Sequence, residues 1–145
     1  MIGLLQRILT ASVEIDDRPV ASIGPGLLVL VGIRPTDDDT AAFRLLARLL
    51  QYRIFADPEG KMNLNLAQTQ GALLLVPQFT LAADTHKGLR PGFSTAAPPE
   101  QARRLFDILV QAARAQHSRV ETGVFGAHMR VSLINDGPVT FWLES

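Results

Sequence analysis

Two short segments of the chain are apolar at almost every position. They are residues 27–33 and 72–76, which consist of Leu, Val, Ile, Ala and one Gly. Runs of this length without polar alternation are typical of strands buried on both faces. Gly71 precedes the second run and Pro77 follows it, so we expect a strand at 72–76 in the middle of the fold. Polar side chains then begin at its carboxyl end, which is where a site can form.

Shorter patterned segments predict further strands joined by tight turns. Residues 2–10 and 12–15 have strand character, and the Asp-Asp-Arg-Pro sequence at 16–19 predicts a turn into a strand at 20–23. A Gly-Pro-Gly turn at 24–26 leads into the apolar run at 27–33. Near the end of the chain we expect strands at 120–125, 130–134 and 139–143, with a turn at 136–138 joining the last two.

Two segments have apolar residues at helical spacing. The first extends from about residue 39 to 52, where the preceding acidic residues suit a helix amino end. The second starts at Pro98-Pro99 and ends between 114 and 118. The Gly-, Pro-, Ser- and Thr-rich segment between 85 and 97 predicts a loop that borders the site. Strands, a helix, a strand, a helix and further strands, without regular βαβ alternation, favour one α+β domain spanning residues 1–145.

Composition places the chain among soluble globular proteins. Hydrophobic residues make up 47% and charged residues 19%, and no apolar run approaches the roughly 20 residues of a membrane helix. The first residues lack signal-peptide features and there is no cysteine, so we expect a cytoplasmic protein without disulfides. Fourteen basic and fourteen acidic residues cancel, which gives no overall sign of a nucleic-acid binder. A local basic surface remains open, as does an ordinary solvated one; the residues concerned are Arg44, Arg48, Lys87, Arg90, Arg103 and Arg104.

The usual hydrolase and cofactor motifs are missing. The sequence around Ser94 lacks the second glycine of a nucleophile elbow. His86, His117 and His128 are scattered without zinc-ligand spacing, and no phosphate-binding or dinucleotide-binding glycine pattern occurs. We therefore predict no metal and no cofactor.

Two motifs nevertheless identify a family. They are QFTLAADT at residues 78–85 and NDGPVT at residues 135–140. Together with Gln6-Arg7, GKMN at 60–63 and ETGVFGA at 121–127, in this order and spacing, the chain resembles the D-aminoacyl-tRNA deacylase family, also called D-tyrosyl-tRNA deacylase. The resemblance extends over nearly the whole chain.

The resemblance implies a fold, an activity and partners. The fold is a curved, barrel-like, mostly antiparallel sheet with two helices, assembled as a homodimer. The activity is hydrolysis of the ester that joins a D-amino acid to the terminal adenosine of tRNA. The implied partners are the aminoacylated tRNA 3′ end and a second copy of the chain, with neither DNA nor a membrane. Whether glycine on a non-cognate tRNA is also cleaved stays open.

The resemblance also assigns residues. Thr80 is tied to activity, Gln78 stands beside it as the second catalytic candidate, and Phe79, Met62 and Phe125 are expected to form the substrate pocket. Gly137-Pro138 is expected to be cis and to enter the partner subunit's pocket, where its carbonyl oxygens exclude L-amino acids. Arg7 is expected to fix that motif; the alternative is an ordinary surface arginine.

One position departs from the family pattern. Many members have Ser where this chain has Pro77, so a nucleophilic hydroxyl at this position is impossible. An activated ester needs mainly correct placement of water and of the ribose 2′-hydroxyl, with N–H groups facing the oxyanion. An active deacylase is therefore the leading hypothesis, and the alternative is a catalytically silent, dimeric tRNA-end-binding module.

Overall fold

The computed structural model describes residues 1–86 and 88–145. Lys87, considered above as one of the basic residues, lies outside the described residues. The described chain forms eight strands, three α-helices and one 3₁₀ turn. In chain order these are β1 (Ile2–Ile15), β2 (Arg18–Ile23), β3 (Gly26–Gly32), α1 (Asp39–Gln51), β4 (Phe55–Ala56), β5 (Met62–Leu64), α2 (Leu66–Thr69), β6 (Ala72–Pro77), the 3₁₀ turn (Phe79–Ala82), α3 (Pro99–Gln116), β7 (Val120–Thr122) and β8 (Arg130–Glu144).

Strand β1 organises the sheet because it is hydrogen-bonded along both edges. On one edge it pairs antiparallel with β3 and then β2, and on the other edge with β8. Strand β3 pairs in parallel with β6, and β6 in parallel with β7, which gives the order β2-β1-β3-β6-β7. Strand β2 also approaches β6 and β7, so the sheet is nearly closed. The α+β class and the barrel-like sheet are confirmed, with the two parallel pairs making the sheet mixed.

The core has two parts because successive side chains of β3 and β6 point to opposite faces. Leu27, Val29 and Val31 pack on α1 and α3, which cover one face of the sheet. Leu28 and Leu74 belong to a second cluster inside the curved sheet. All residues of β6 up to Val76 are buried. The predicted two-sided burial of this strand is confirmed, and its carboxyl end is held firmly.

The predicted count of two helices was wrong because it missed α2. This single turn begins at Asn65, whose side chain accepts a hydrogen bond from the Gln68 N–H at 3.0 Å, while the Gln68 side chain accepts one from the Asn65 N–H at 2.9 Å. Such a reciprocal capping box stabilises even a short helix start. The other two helices lie close to their predicted bounds.

The predicted turn at 136–138 was also wrong. Strand β8 is continuous, and residues on both sides of this segment pair with β1, Thr140 opposite Gln6 and Asn135 opposite Ile8. Residues 136–139 therefore bulge out opposite the single residue Arg7. A bulge lets the strand keep its direction while it projects backbone groups out of the ladder. Strand β7 is shorter than predicted, and β1 is one strand instead of two.

Candidate active site

The 3₁₀ turn after β6 carries the first group of candidate residues and is anchored on β3. The Gln78 N–H bonds to the Val31 carbonyl at 2.8 Å, and the Leu81 N–H bonds back to the Gln78 carbonyl at 3.3 Å. A Cβ on Gly32 would lie 2.9 Å from the Leu81 Cβ. Glycine at position 32 therefore allows the turn to pack directly on β3.

Pro77 forms the end of β6 at a point where its missing N–H is tolerated. Leu73 donates to Arg119 and the Leu75 carbonyl accepts from Gly123, so alternate residues of β6 face β7. Pro77 is next in this series, but β7 ends at Thr122. The ladder stops here, and a residue without a donor fits.

Gln78 and Thr80 form a polar pair on this turn. The Gln78 side-chain amide donates a hydrogen bond to the Thr80 hydroxyl at 2.5 Å. Thr80 is exposed. Because a hydroxyl can accept and donate at the same time, its own proton stays available for a substrate or a water molecule.

The loop after the turn borders the site, as expected from the sequence. Asp84 and Gly92 exchange two backbone hydrogen bonds, at 2.8 and 2.9 Å, and the Thr95 hydroxyl donates to the Ala82 carbonyl at 2.6 Å. The Phe93 ring meets the Phe79 ring edge-on, with centroids 5.1 Å apart. Phe79 therefore packs against the loop.

A cavity of about 270 Å³ opens beside the turn. One wall is Pro77, Gln78 and Phe79, and the other is the segment between β7 and β8, including Phe125 and Met129. Its walls are mostly apolar, with the Gln78 amide at one side. Of the predicted residues, Gln78, Phe79 and Phe125 line this cavity, and Thr80 lies next to it through its hydrogen bond with Gln78.

A second group of predicted residues lies in the bulge of β8. The Gly137-Pro138 peptide bond is cis, and Gly137 has a φ of +133°, a conformation that favours glycine. Arg7 Nε lies 3.2 Å from the Asp136 carbonyl oxygen and 3.0 Å from its carboxylate, and Arg7 Nη1 donates to the Ile54 carbonyl at 2.7 Å. Arg7 is thus largely buried and holds the base of the bulge.

Met62 lies in β5, which pairs with β4 directly after Ile54, the residue whose carbonyl accepts from Arg7, and its side chain is 47% exposed. The preceding turn is organised by Asp57, which accepts from the Asn63 side chain at 2.7 Å and from the Lys61 N–H at 2.9 Å. These hydrogen bonds, the Asn63 one foremost, lower the pKa of the Asp57 carboxyl. Met62 does not line the cavity beside Thr80.

The two groups do not meet within one chain. Thr140, Gln6, Leu28 and Leu74 form one row across four strands. Gln78 follows the end of β6, four residues beyond Leu74, so strand spacing and rise put it roughly 20 Å from the bulge. Within one described chain, the turn and the bulge therefore form two separate groups.

Arg103 is a residue near the cavity that the sequence marked only as basic. Its guanidinium carbon lies 4.8 Å from the centroid of the Phe125 ring, and its Nη2 donates to the Phe125 carbonyl at 3.4 Å. Arg103 is on α3 and Phe125 follows β7. No local sequence pattern could have predicted this contact between Arg103 and Phe125, since it depends on how α3 packs.

Glu144 is the carboxyl group with the largest electrostatic shift outside this region. Arg34 Nη2 lies 2.8 Å from one carboxylate oxygen, and the Trp142 Nε1 donates to the same oxygen at 2.9 Å. The Arg34 hydrogen bond, followed by that of Trp142, lowers the Glu144 pKa to about 2. The Arg34–Glu144 ion pair lies at the carboxyl end of β8.

Within residues 1–86 and 88–145, the structure contains neither a metal-binding cluster nor a membrane-spanning helix. No group of three or more His, Asp or Glu side chains there is arranged to hold a metal ion. No helix there is long and apolar enough to cross a membrane.

The chain matches one protein-family model over nearly its whole length. The family model described as D-Tyr-tRNA(Tyr) deacylase matches residues 4–144. A D-aminoacyl-tRNA deacylase of Azotobacter vinelandii is 60% identical over 145 residues, covering 100% of both chains. Another, from Xanthomonas oryzae pv. oryzae, is 61% identical over 145 residues, covering 99% of both.

Two solved structures share the fold. One, named c-Myc DNA Unwinding Element Binding Protein, has a TM-score of 0.96 and 35% identity, covering 100% of this chain and 99% of its own. The other, described as a probable eukaryotic D-amino acid tRNA deacylase, has a TM-score of 0.86, covering 99% and 98%. At 20% identity, the second likeness concerns the fold alone.

Proposed function

The chain belongs to the D-Tyr-tRNA(Tyr) deacylase family, and on that premise we propose that it hydrolyses the ester bond of D-aminoacyl-tRNA, releasing free tRNA and the D-amino acid. The observation that carries this proposal is the Gln78–Thr80 pair, fixed on a rigid turn beside a cavity of about 270 Å³. Full-length relatives at about 60% identity bear the name of this activity. We place the reaction in the cytoplasm, where charged tRNA is used.

The terminal adenosine of tRNA fits the cavity beside the turn. An adenine base is flat and largely apolar on its faces, and Phe125 and Met129 offer an aromatic ring and a polarisable sulfur. With the base in this cavity, the ribose 3′ ester reaches Gln78 and Thr80 at the opposite wall. The amino acid then extends towards the exposed surface.

In this proposal, the positioning of the water molecule, the ribose 2′-hydroxyl and the oxyanion donors accelerates the hydrolysis. A water molecule adds to the ester carbonyl, the bond between the acyl carbon and the ribose 3′ oxygen breaks, and that oxygen takes a proton. Thr80 orients the attacking water or the ribose 2′-hydroxyl through its free O–H. The N–H groups of Phe79 and Thr80 precede the first bonded N–H of the turn, that of Leu81, and are the donors for the oxyanion.

No side-chain nucleophile enters this scheme. Pro77 occupies the wall of the cavity where many family members have a serine hydroxyl. Its ring can only pack against the substrate. The reaction therefore depends on the Thr80 hydroxyl and the backbone N–H groups of the turn. No covalent acyl-enzyme intermediate should form.

A homodimer completes the site in this proposal. The bulge at Gly137-Pro138 lies roughly 20 Å from Gln78 in the same chain by strand spacing, so it serves the pocket of a partner. The outer edge of β8 pairs with no strand in the described chain, and Ile134 and Trp142 on it are 55% and 48% exposed. Exposed apolar side chains on an open edge are typical of a subunit interface.

Main-chain atoms then select the enantiomer. Carbonyl oxygens of the bulge accept hydrogen bonds from the ammonium group of a D-amino acid and occupy the space that an L-amino acid would need. Glycine on a non-cognate tRNA has no side chain to exclude, so it is a second candidate substrate of the same site.

The test is deacylation of D-Tyr-tRNA and L-Tyr-tRNA, followed side by side with the Thr80→Ala variant as control. Release of tRNA from the D substrate alone, lost in the variant, supports the proposal. The rival, a silent tRNA-end-binding module of the same fold, predicts tight binding of both charged tRNAs without turnover. Equal turnover of both substrates contradicts the chiral filter.

A DNA-binding function is less well supported. The neighbour named for a DNA element is 35% identical, against about 60% for the deacylases, and the chain has a net charge of zero. A shared fold accommodates different functions, so the closer relatives take priority.

A further inference from the structure

Arg103 is held over the outer wall of the cavity. Its guanidinium stacks at 4.8 Å from the Phe125 ring centroid, and its Nη2 bonds to the Phe125 carbonyl at 3.4 Å. A Cβ on Gly126 would lie 3.7 Å from the same Nη2, so the guanidinium lies directly over the backbone that follows Phe125. The long side chain is thus pre-positioned by an aromatic face and a carbonyl, while most of its N–H groups stay free.

In the part of the chain that the structure describes, the charge of Arg103 has no carboxylate partner. Within residues 1–86 and 88–145, no Asp or Glu oxygen lies within ion-pair distance of its guanidinium, whereas the neighbouring Arg104 pairs with Asp39 at 2.7 Å. Two adjacent arginines of one helix therefore differ: Arg104 is neutralised, and Arg103 presents an unpaired, planar cation at the rim of a cavity.

We propose that Arg103 binds the phosphate on the 5′ side of the terminal adenosine. This inference rests on the proposed function, since it takes the base to lie against Phe125 and the 3′ ester against Gln78. A nucleoside held in that way directs its 5′ carbon out of the cavity, to the rim where Arg103 stands. Guanidinium N–H groups match phosphate oxygens in charge and in fork geometry.

Three parts of the protein then contact three different parts of the substrate. The cavity recognises the base, the turn acts on the ester, and Arg103 reads the first backbone phosphate, which distinguishes a tRNA end from a free nucleoside ester. Phosphate contacts of this kind orient a nucleic acid without reading its sequence. Arg103 should therefore act on every tRNA alike.

The experiment compares two small substrates, 3′-O-D-tyrosyl-adenosine and the same compound with a 5′-phosphate. For the unaltered protein, the phosphate should lower KM, with little change in kcat. Arg103→Met should reduce that advantage by on the order of tenfold, as expected for losing a charge-assisted hydrogen bond. Arg103→Lys should retain part of it. Arg104→Met is the matched control and should keep the full advantage.

Binding supplies a second readout that does not require turnover. Arg103→Met should lose the preference for AMP over adenosine, measured by calorimetry, and Arg104→Met should keep it. If the unaltered protein binds AMP through Arg103 but cleaves neither ester, the proposed function fails and this inference stands.

Two results overturn the inference. One is an unchanged phosphate advantage in Arg103→Met, both in KM and in AMP binding. The other is an equal loss on the phosphorylated and unphosphorylated compounds, which would mean that Arg103 only supports the Phe125 ring.

Discussion

The side-chain amide of Gln78 donates a hydrogen bond to the hydroxyl of Thr80 at 2.5 Å, within one turn that is itself bonded to Val31. The hydroxyl oxygen accepts this hydrogen bond, and its own proton remains available for a substrate or a water molecule. This arrangement makes Thr80 the residue whose removal should affect the rate most directly.

Thr80→Ala should lower kcat for D-Tyr-tRNA by on the order of 10²-fold, the usual cost of removing one well-placed donor in an active site. The free energy of unfolding should change by less than about 0.5 kcal/mol, since the side chain is exposed. Deacylation kinetics and urea denaturation measure the two effects. Thr80→Ser should retain much of the rate, and the exposed Thr85→Ala serves as control. A wild-type rate in Thr80→Ala would remove this hydroxyl from the mechanism.

Gly137→Val should impair D-substrate turnover. A Cβ at this position would lie 2.6 Å from the Val139 Cγ2 and 3.0 Å from the Val139 N, at a φ of +133°. The bulge must therefore move, and we expect the strained backbone to cost about 1–3 kcal/mol. Gly24 has open space where a Cβ would be, and Gly24→Ala should behave like the unaltered protein. Sedimentation should show whether Gly137→Val also weakens assembly; normal turnover in this variant would separate the bulge from the site.

Mixing inactive variants tests the cross-subunit site. If Thr80 of one subunit works with Gly137 of the other, then dissociating and reassociating Thr80→Ala with Gly137→Val should restore about a quarter of the wild-type activity. Half of the random dimers are mixed, and each mixed dimer has one intact site. Both variants unmixed should stay inactive. No recovery from a mixture shown to contain mixed dimers contradicts the shared site.

Acid should destabilise the protein partly through Glu144. Its folded pKa of about 2 lies below the ordinary value of 4.5, mainly because of the Arg34 hydrogen bond. The stabilisation is therefore fully present above about pH 4.5 and is lost as the pH falls towards 2. Because the pair is exposed, the effect should be modest. Urea midpoints should depend less on pH in this window for both Glu144→Gln and Arg34→Met; an unchanged dependence in both would show that the pair contributes nothing.

Chelation should leave the reaction unaffected, because the proposed chemistry uses a hydroxyl and backbone N–H groups alone. Prolonged dialysis against EDTA should preserve the rate of D-Tyr-tRNA deacylation, with magnesium restored before the assay so that the tRNA stays folded. Activity that is lost and then recovered with zinc would point to a metal that this scheme omits.

The sequence predicted the elements whose pattern is decided locally. Strand β6, α1 and α3 were identifiable because burial on two faces, or on one helical face, leaves a periodicity in the residues themselves. The turn after β6 was recognisable as a site because a buried run ends there in Gln78 and Thr80. Helix α2 was also within reach, since Asn65 and Gln68 have capping-box spacing.

The bulge and the cavity could not be predicted in this way. Gly137 and Pro138 are common turn residues, and only the pairing of both halves of β8 with β1 shows that the strand continues. The stacking of Arg103 on Phe125 likewise joins elements that are 22 residues apart, so it depends on tertiary packing.

The 3₁₀ turn carries the reacting groups, whereas the loop that follows it borders the path by which the substrate enters. Pro77 ends the ladder, Gly32 allows the turn to pack on β3, and the Val31 carbonyl accepts from the Gln78 N–H, so strands β3 and β6 set the position of Thr80 relative to the sheet. The neighbouring loop contacts the turn at the Ala82 carbonyl and at the Phe79 ring. Substitutions at loop residues that do not make these contacts should therefore change how the substrate is admitted more than they change the position of Thr80.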